Sequence, residues 1–125
     1  MNPTARGTWM RHDVGVPRTV LVVDDSAAFR ATARTLLKAR GYEVVGVAAD
    51  VAGALAAARE LRPDCVLLDV NLPDGDGASV ADAFDATVVL VSTLDAPSLD
   101  GSGARGFVPK AELASPRLVE LLGPP

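Results

Sequence analysis

Apolar residues in this chain occur in two alternating patterns. Continuous runs of four or five, mostly β-branched, appear at "TVLVV" (19–23), "CVLL" (65–68) and "TVVLV" (87–91). Such runs, without polar alternation, mark strands buried on both faces. "YEVVGVAA" (42–49) reads as a further strand and "GFVPK" (106–110) as a short fifth. Between them apolar residues recur at helical spacing. Phe29, Ala33, Leu36, Leu37 and Arg40 form one stripe, with Asp25 or Ser26 as its cap and Gly41 at its end. "VAGALAAARELR" predicts a second helix with Val51, Leu55, Ala58 and Leu61 on one face. "ASVADAFD" (78–85) allows roughly two turns. Ser115 followed by Pro116 opens a last helix carrying Leu118, Leu121 and Leu122. Strand and helix alternate five times, which predicts an α/β fold with a doubly wound five-stranded parallel sheet.

The strands end on polar residues. Asp24 and Asp25 follow the first, Asp69 the third, Ser92 the fourth and Lys110 the fifth. In such sheets ligands bind beyond the carboxyl ends of the strands. Four concordant endings are far less expected by chance than one. Carboxylates held close repel, so one pKa rises unless a cation is present. A hard divalent ion resolves this, and Mg2+ fits best because it takes few carboxylates and accepts phosphate oxygens. Asp69 beside such an ion, an ammonium and a hydroxyl suits one task, acceptance of a phosphoryl group as a covalent aspartyl phosphate.

Length and composition set bounds. The chain has 125 residues, enough for one domain, and 49 % of them are hydrophobic. A formal charge of −4 argues against nucleic-acid binding by this domain. No apolar run reaches the ~18 residues of a membrane span, and no secretory signal is present, so a cytoplasmic protein is expected. The single cysteine, Cys65, sits inside an apolar strand and reads as a core residue. Residues 1–17 lack periodicity and predict a flexible N-terminal extension. The folded domain is expected over residues 18–125. His12, the only histidine, lies in that extension with no metal or catalytic partner nearby.

The motifs "LVVDDS", "LLDVNLPDGDG", "VLVST" and "GARGFVPK", each at a strand end and in this order, resemble the receiver domain of two-component response regulators. The resemblance spans Thr19 to about Leu122. It implies a flavodoxin-like sheet of order 2-1-3-4-5. It implies Asp69 as phosphoacceptor, with Mg2+ held by Asp24, Asp25, Asp69 and the backbone carbonyl of Asn71. Ser92 takes the place of the switch hydroxyl, Phe107 that of the aromatic switch, and Lys110 that of the phosphate-contacting lysine. The phosphoryl donor would be a phosphohistidine on a sensor histidine kinase or histidine phosphotransfer protein. The recipient of the signal would be a downstream protein target or an output domain outside this chain. Such a domain promotes only its own phosphorylation and dephosphorylation and is not otherwise an enzyme.

Two features depart from the pattern. Only fourteen residues separate Ser92 from Phe107, and they include Pro97, Gly101, Gly103 and Gly106. With a connecting loop on each side, little chain remains for a helix, so the fourth crossover helix is expected to be shortened or lost. Proline precedes Lys110, whereas many relatives place it after the lysine. Pro109 lacks an amide donor, which requires strand five to be an edge. The same pocket leaves a second reading open, a protein-binding module whose contacts ignore phosphorylation. A third, an aspartyl-phosphate hydrolase, is disfavoured because Asn71 stands where such phosphatases carry a second acid. A calcium loop starting at Asp69 fails, because Asp74 stands where glycine is needed.

Overall fold

A computed structural model of the chain describes residues 16–93 and 102–125. The five apolar runs are its five main strands: β1 (Thr19–Val23), β2 (Glu43–Ala48), β3 (Cys65–Asp69), β4 (Thr87–Ser92) and β5 (Gly106–Pro109). They form one sheet of order β2-β1-β3-β4-β5, and every neighbouring pair is parallel. The fold is the flavodoxin-like one. Pro109 is the last residue of β5, at the sheet edge, where it pairs with Ser92 and its missing donor falls at the end of the ladder.

Alternation along the strands divides the core in two. Val20, Val22, Cys65, Leu67, Val89, Val91 and Val108 face helices α1 (Ala27–Ala39) and α4 (Pro116–Leu122). Leu21, Val23, Val66, Leu68, Val88, Leu90 and Phe107 face α2 (Val51–Leu61) and α3 (Gly77–Val80), with Phe84 beyond them. The central strands bury both faces, so a one-residue slip would exchange the two layers without exposing them. Register therefore depends on the polar ends.

Two local readings are revised and one is refined. On α2 the inward residues are Val51 and Ala54, whereas Leu61 is 40 % exposed. Leu61 lies over Gly46 of the edge strand β2, and no further strand covers it; a Cβ at Gly46 would come within 2.7 Å of Leu61 Cδ1. The helix after β3 makes one α turn and then a 3-10 turn, Ala81–Ala83. Phe84 leaves helical geometry there (φ −93°, ψ 134°) and buries its ring. Ser115 stands at the N-cap of α4 but makes no side-chain cap bond, and its buried Oγ has no hydrogen-bond partner among the described residues.

With seven residues, α4 is too short to persist alone. Its last carbonyls are held by the residues that precede β1 and β2: Arg18 Nε donates to Leu122 O at 2.8 Å and Tyr42 Oη to Gly123 O at 2.5 Å. Arg40 reaches from the end of α1 to the carbonyls of Ala114 and Ser115. Residues 102–105 carry no helix. The expected reduction of the fourth crossover falls mainly on residues 94–101, outside the described residues, as does the expected extension up to residue 15. Among the described residues, no helix is long and apolar enough to cross a membrane.

Candidate metal centre

β1 carries Asp24 to the sheet rim, where its amide donates to Ala48 O at 3.0 Å and ties the ends of β1 and β2 together. The Asp24 carboxylate is fully buried. Its Oδ1 accepts from the Ser26 amide at 2.8 Å, and Arg30 donates to its carbonyl at 2.7 Å. Ser26, not Asp25, then caps α1 by accepting from Phe29 N. That frees Asp25, which is exposed, to face the rim. Asp69 is the last residue of β3 and is 4 % exposed. One carboxylate oxygen from each of Asp24, Asp25 and Asp69 lies within 4.8 Å of the others.

Lys110 begins the 3-10 turn after β5 and reaches back over the same rim. Its Nζ lies 2.5 Å from Asp24 Oδ2 and 3.8 Å from Asp69 Oδ2. The Phe29 ring lies beneath it, 4.4 Å from ammonium to centroid, a stabilising placement for a cation. The ammonium bridges two of the three carboxylates, Asp24 and Asp69. Burial pushes the Asp69 pKa up and the Asp24 charge pushes it further; Lys110, the Asn71 amide at 3.4 Å and Asp25 act with smaller weight. Asp24 Oδ2 is buried, and the Lys110 ammonium lies against it. An under-neutralised set of carboxylate oxygens fits a hard divalent cation such as Mg2+.

The loop after Asp69 turns back tightly. Gly77 N donates to Val70 O at 2.8 Å, and a Cβ at Gly77 would lie 2.3 Å from Asp69 O. Glycine is required by that approach. A two-residue hairpin, Asn71–Leu72 against Gly75–Asp76, occupies the loop. Its acids are structural. Asp76 accepts from Ala78 N and Ser79 Oγ, capping α3. Asp74 accepts from Val51 N at 2.7 Å and Ala52 N at 3.0 Å, and these bonds hold its carboxyl below the usual range.

The fold brings Asp24, Asp25, Asp69 and Lys110 together, and places Asn71 beside them through its amide. Ser92 ends β4, buried, one position beyond Val91, which pairs with Asp69. Phe107 is 7 % exposed, in the core layer beneath α2 and α3, and paired with Leu90. Phe29 was legible only as a core residue, since its place under Lys110 joins positions 81 apart. The cap by Asp76 was legible in "DGAS", an acid ahead of small residues at a helix start.

A family model described as the response regulator receiver domain covers residues 20–121. Among curated proteins the chain is similar to protein-glutamate methylesterase/protein-glutamine glutaminase 2 of Anaeromyxobacter dehalogenans, 43 % identical over 93 residues, covering 73 % of this chain and 27 % of that one. The chain spans about half or less of the length of the curated relatives matched first. Among solved structures it resembles the response regulator domain of Thermotoga maritima CheB (27 % identity, TM-score 0.72, covering 85 % of this chain and 93 % of that one). It also resembles Vibrio cholerae chemotaxis protein CheY4 (29 % identity, TM-score 0.73, covering 84 % and 98 %).

Proposed function

We propose, since this chain belongs to the response regulator receiver domain family, that it is the phosphoacceptor of a two-component pathway and that Asp69 carries the phosphoryl group. Receiver domains are signalling modules rather than enzymes acting on a separate substrate. The single observation that supports the assignment is the meeting of Asp24, Asp25 and Asp69 within 4.8 Å under one lysine. Asp24, Asp25, Asp69 and the Asn71 carbonyl would hold Mg2+. Bound there, the ion supplies positive charge for the oxygens of the transferring group.

The remaining chemistry belongs to the chain. An ionised Asp69 oxygen attacks phosphorus while the P–N bond to a partner's imidazole breaks, and the imidazole leaves with the electron pair. The raised pKa of Asp69 makes ionisation before attack the demanding requirement, and Lys110 favours it. Lys110, already between two carboxylates, has a short path to the new phosphoryl oxygens. Ser92 would donate its hydroxyl to them. Phosphorylation adds roughly −1.5 to −2 charge by analogy with other phosphoresidues, and the repacking that answers it would run along β4 to Phe107. Two partners follow: a sensor histidine kinase or histidine phosphotransfer protein as donor, and a downstream target or attached output domain as recipient. The compartment would be the cytoplasm.

Incubation with Mg2+ and acetyl phosphate, followed by intact mass, tests the reading. The parent should gain one phosphoryl group, and the gain should vanish in EDTA and in Asp69→Asn. Equal labelling of the variant refutes Asp69 as acceptor. No labelling of a parent that still binds Mg2+ favours the phosphorylation-independent binding module.

A further inference from the structure

The hairpin at residues 71–76 is held to the rest of the molecule by few bonds. Its strands have two residues each, paired as Asn71 with Asp76 and Leu72 with Gly75. A two-stranded ribbon of that size has little stability of its own. Leu72 is buried beneath it, and Gly77 N to Val70 O closes its base. Its tip is attached by Asp74, whose two carboxylate oxygens accept from the amides of Val51 and Ala52, the first two residues of α2.

That attachment is not needed to start α2. Asp50 occupies the N-cap and accepts from Gly53 N at 2.7 Å. Asp74 takes two further amide donors from a position 22 and 23 residues away. Its charge also suits the positive end of the helix. The junction between β2 and α2 therefore holds both sides of the acid cluster. Ala48 O receives the Asp24 amide, and Val51 and Ala52 hold the loop that follows Asp69.

We infer that Asp74 is a positioning residue for the metal centre: its clamp on α2 fixes the height of the 71–76 hairpin, and with it the Asn71 backbone, against Asp24 and Asp69. The inference rests on the Mg2+ site of the proposed function. Loss of the clamp leaves every carboxylate ligand in place but releases the loop that supplies the remaining protein ligand. Partners that orient ligands typically contribute a 10–100-fold effect on metal affinity, and a loop tether belongs at the low end, about 10-fold.

The test compares Asp74→Ala with Asp50→Ala, a variant that removes a cap from the same helix without touching the hairpin. Mg2+ affinity is measured by isothermal titration calorimetry on the full chain at a temperature where all forms are folded. Amide exchange is followed in parallel at residues 51, 52 and 71–76. The expected result is an Asp74→Ala affinity about 10-fold weaker, faster exchange through the hairpin, and parental affinity in Asp50→Ala. Asp74→Asn, which retains one acceptor oxygen, should fall between. Equal Mg2+ affinity in Asp74→Ala and the parent overturns the inference and leaves the phosphoacceptor reading intact. Equal weakening in both alanine variants also overturns it, by assigning the effect to α2 stability. A parent that binds no Mg2+ at all overturns both together.

Discussion

Asp69→Asn removes one of three carboxylates crowded within 4.8 Å while preserving side-chain size. Two unit charges at that separation repel by about 3.5 kcal/mol at an effective dielectric of 20. Attraction to Lys110, 3.8 Å away, returns about 4.4 kcal/mol on the same scale. Asp24 is buried and keeps most of its repulsion, whereas Asp25 is exposed and solvent screens it to a fraction. Desolvation of Asp69 adds to the unfavourable side. Burial first, and the Asp24 charge second, outweigh Lys110, so the ionised form is disfavoured and the Asp69 pKa is raised. Without metal, therefore, Asp69→Asn should be more stable than the parent, by roughly 3–6 °C in Tm for each kcal/mol in a domain of this size. The pH dependence has a definite sign. Folding raises the Asp69 pKa, so between the ordinary carboxylate value and the raised one the native state holds more protons than the unfolded chain. Parental stability then falls as pH rises through that window, and the asparagine variant lacks this loss. Saturation with Mg2+ at a hundred times Kd adds ~2.7 kcal/mol to the parent and less to the variant, which has lost a ligand. Thermal unfolding followed by circular dichroism, in EDTA and in Mg2+ across pH, reads all three effects. A variant that melts below the parent in EDTA, or a parental pH slope that survives the substitution, refutes the electrostatic account of the site.

Other substitutions separate the parts of the structure. Lys110→Met removes the ammonium 2.5 Å from buried Asp24 Oδ2 and should cost about 2–3 kcal/mol in urea unfolding, somewhat below a fully buried pair; Mg2+ should bind the variant more tightly, since a competing cation is gone. Gly77→Ala forces a Cβ to 2.3 Å from Asp69 O and should cost at least about 1–3 kcal/mol and impair phosphoryl labelling. Gly46→Ala instead meets the flexible end of the half-exposed Leu61 and should stay within about 0.5 kcal/mol of the parent, so equal effects of the two alanines would contradict the close approach at Asp69. Tyr42→Phe loses the bond to Gly123 O and should cost about 1 kcal/mol, with amide exchange quickened in α4 but not in α1.

What could be read without coordinates follows from how locally each feature is encoded. A continuous run such as "TVVLV" has one stable use in a chain of this composition, between two helical layers, and all five main strands lie where their runs predict. The rim was legible for the same reason, because a polar residue that ends a buried parallel strand must emerge at its carboxyl end. The face of α2 was not, because Leu61 and Ala54 are distinguished only by which strand lies beneath them, and β2 is an edge. The failed cap at Ser115 belongs to the same class: carbonyl bonds from Arg40 and Arg18, made far along the chain, hold α4 in its place.

The acids of "DVNLPDGDG" carry this furthest. Asp69, Asp74 and Asp76 are the same side chain within eight residues, and periodicity cannot divide their labour. Backbone amides divide it. Asp76 meets those of its own helix, Asp74 meets those of a helix that precedes it by more than twenty residues, and Asp69 meets one long contact from Asn71. A carboxylate supplied with good donors is stabilised and inert, and the Asp74 carboxyl is correspondingly held low. A carboxylate denied donors, buried beside another acid, is held high and is available to a metal or to phosphorus. The acid proposed to react is thus the one whose hydrogen bonding the fold leaves most incomplete, and that incompleteness depends on neighbours at the ends of β1 and β5.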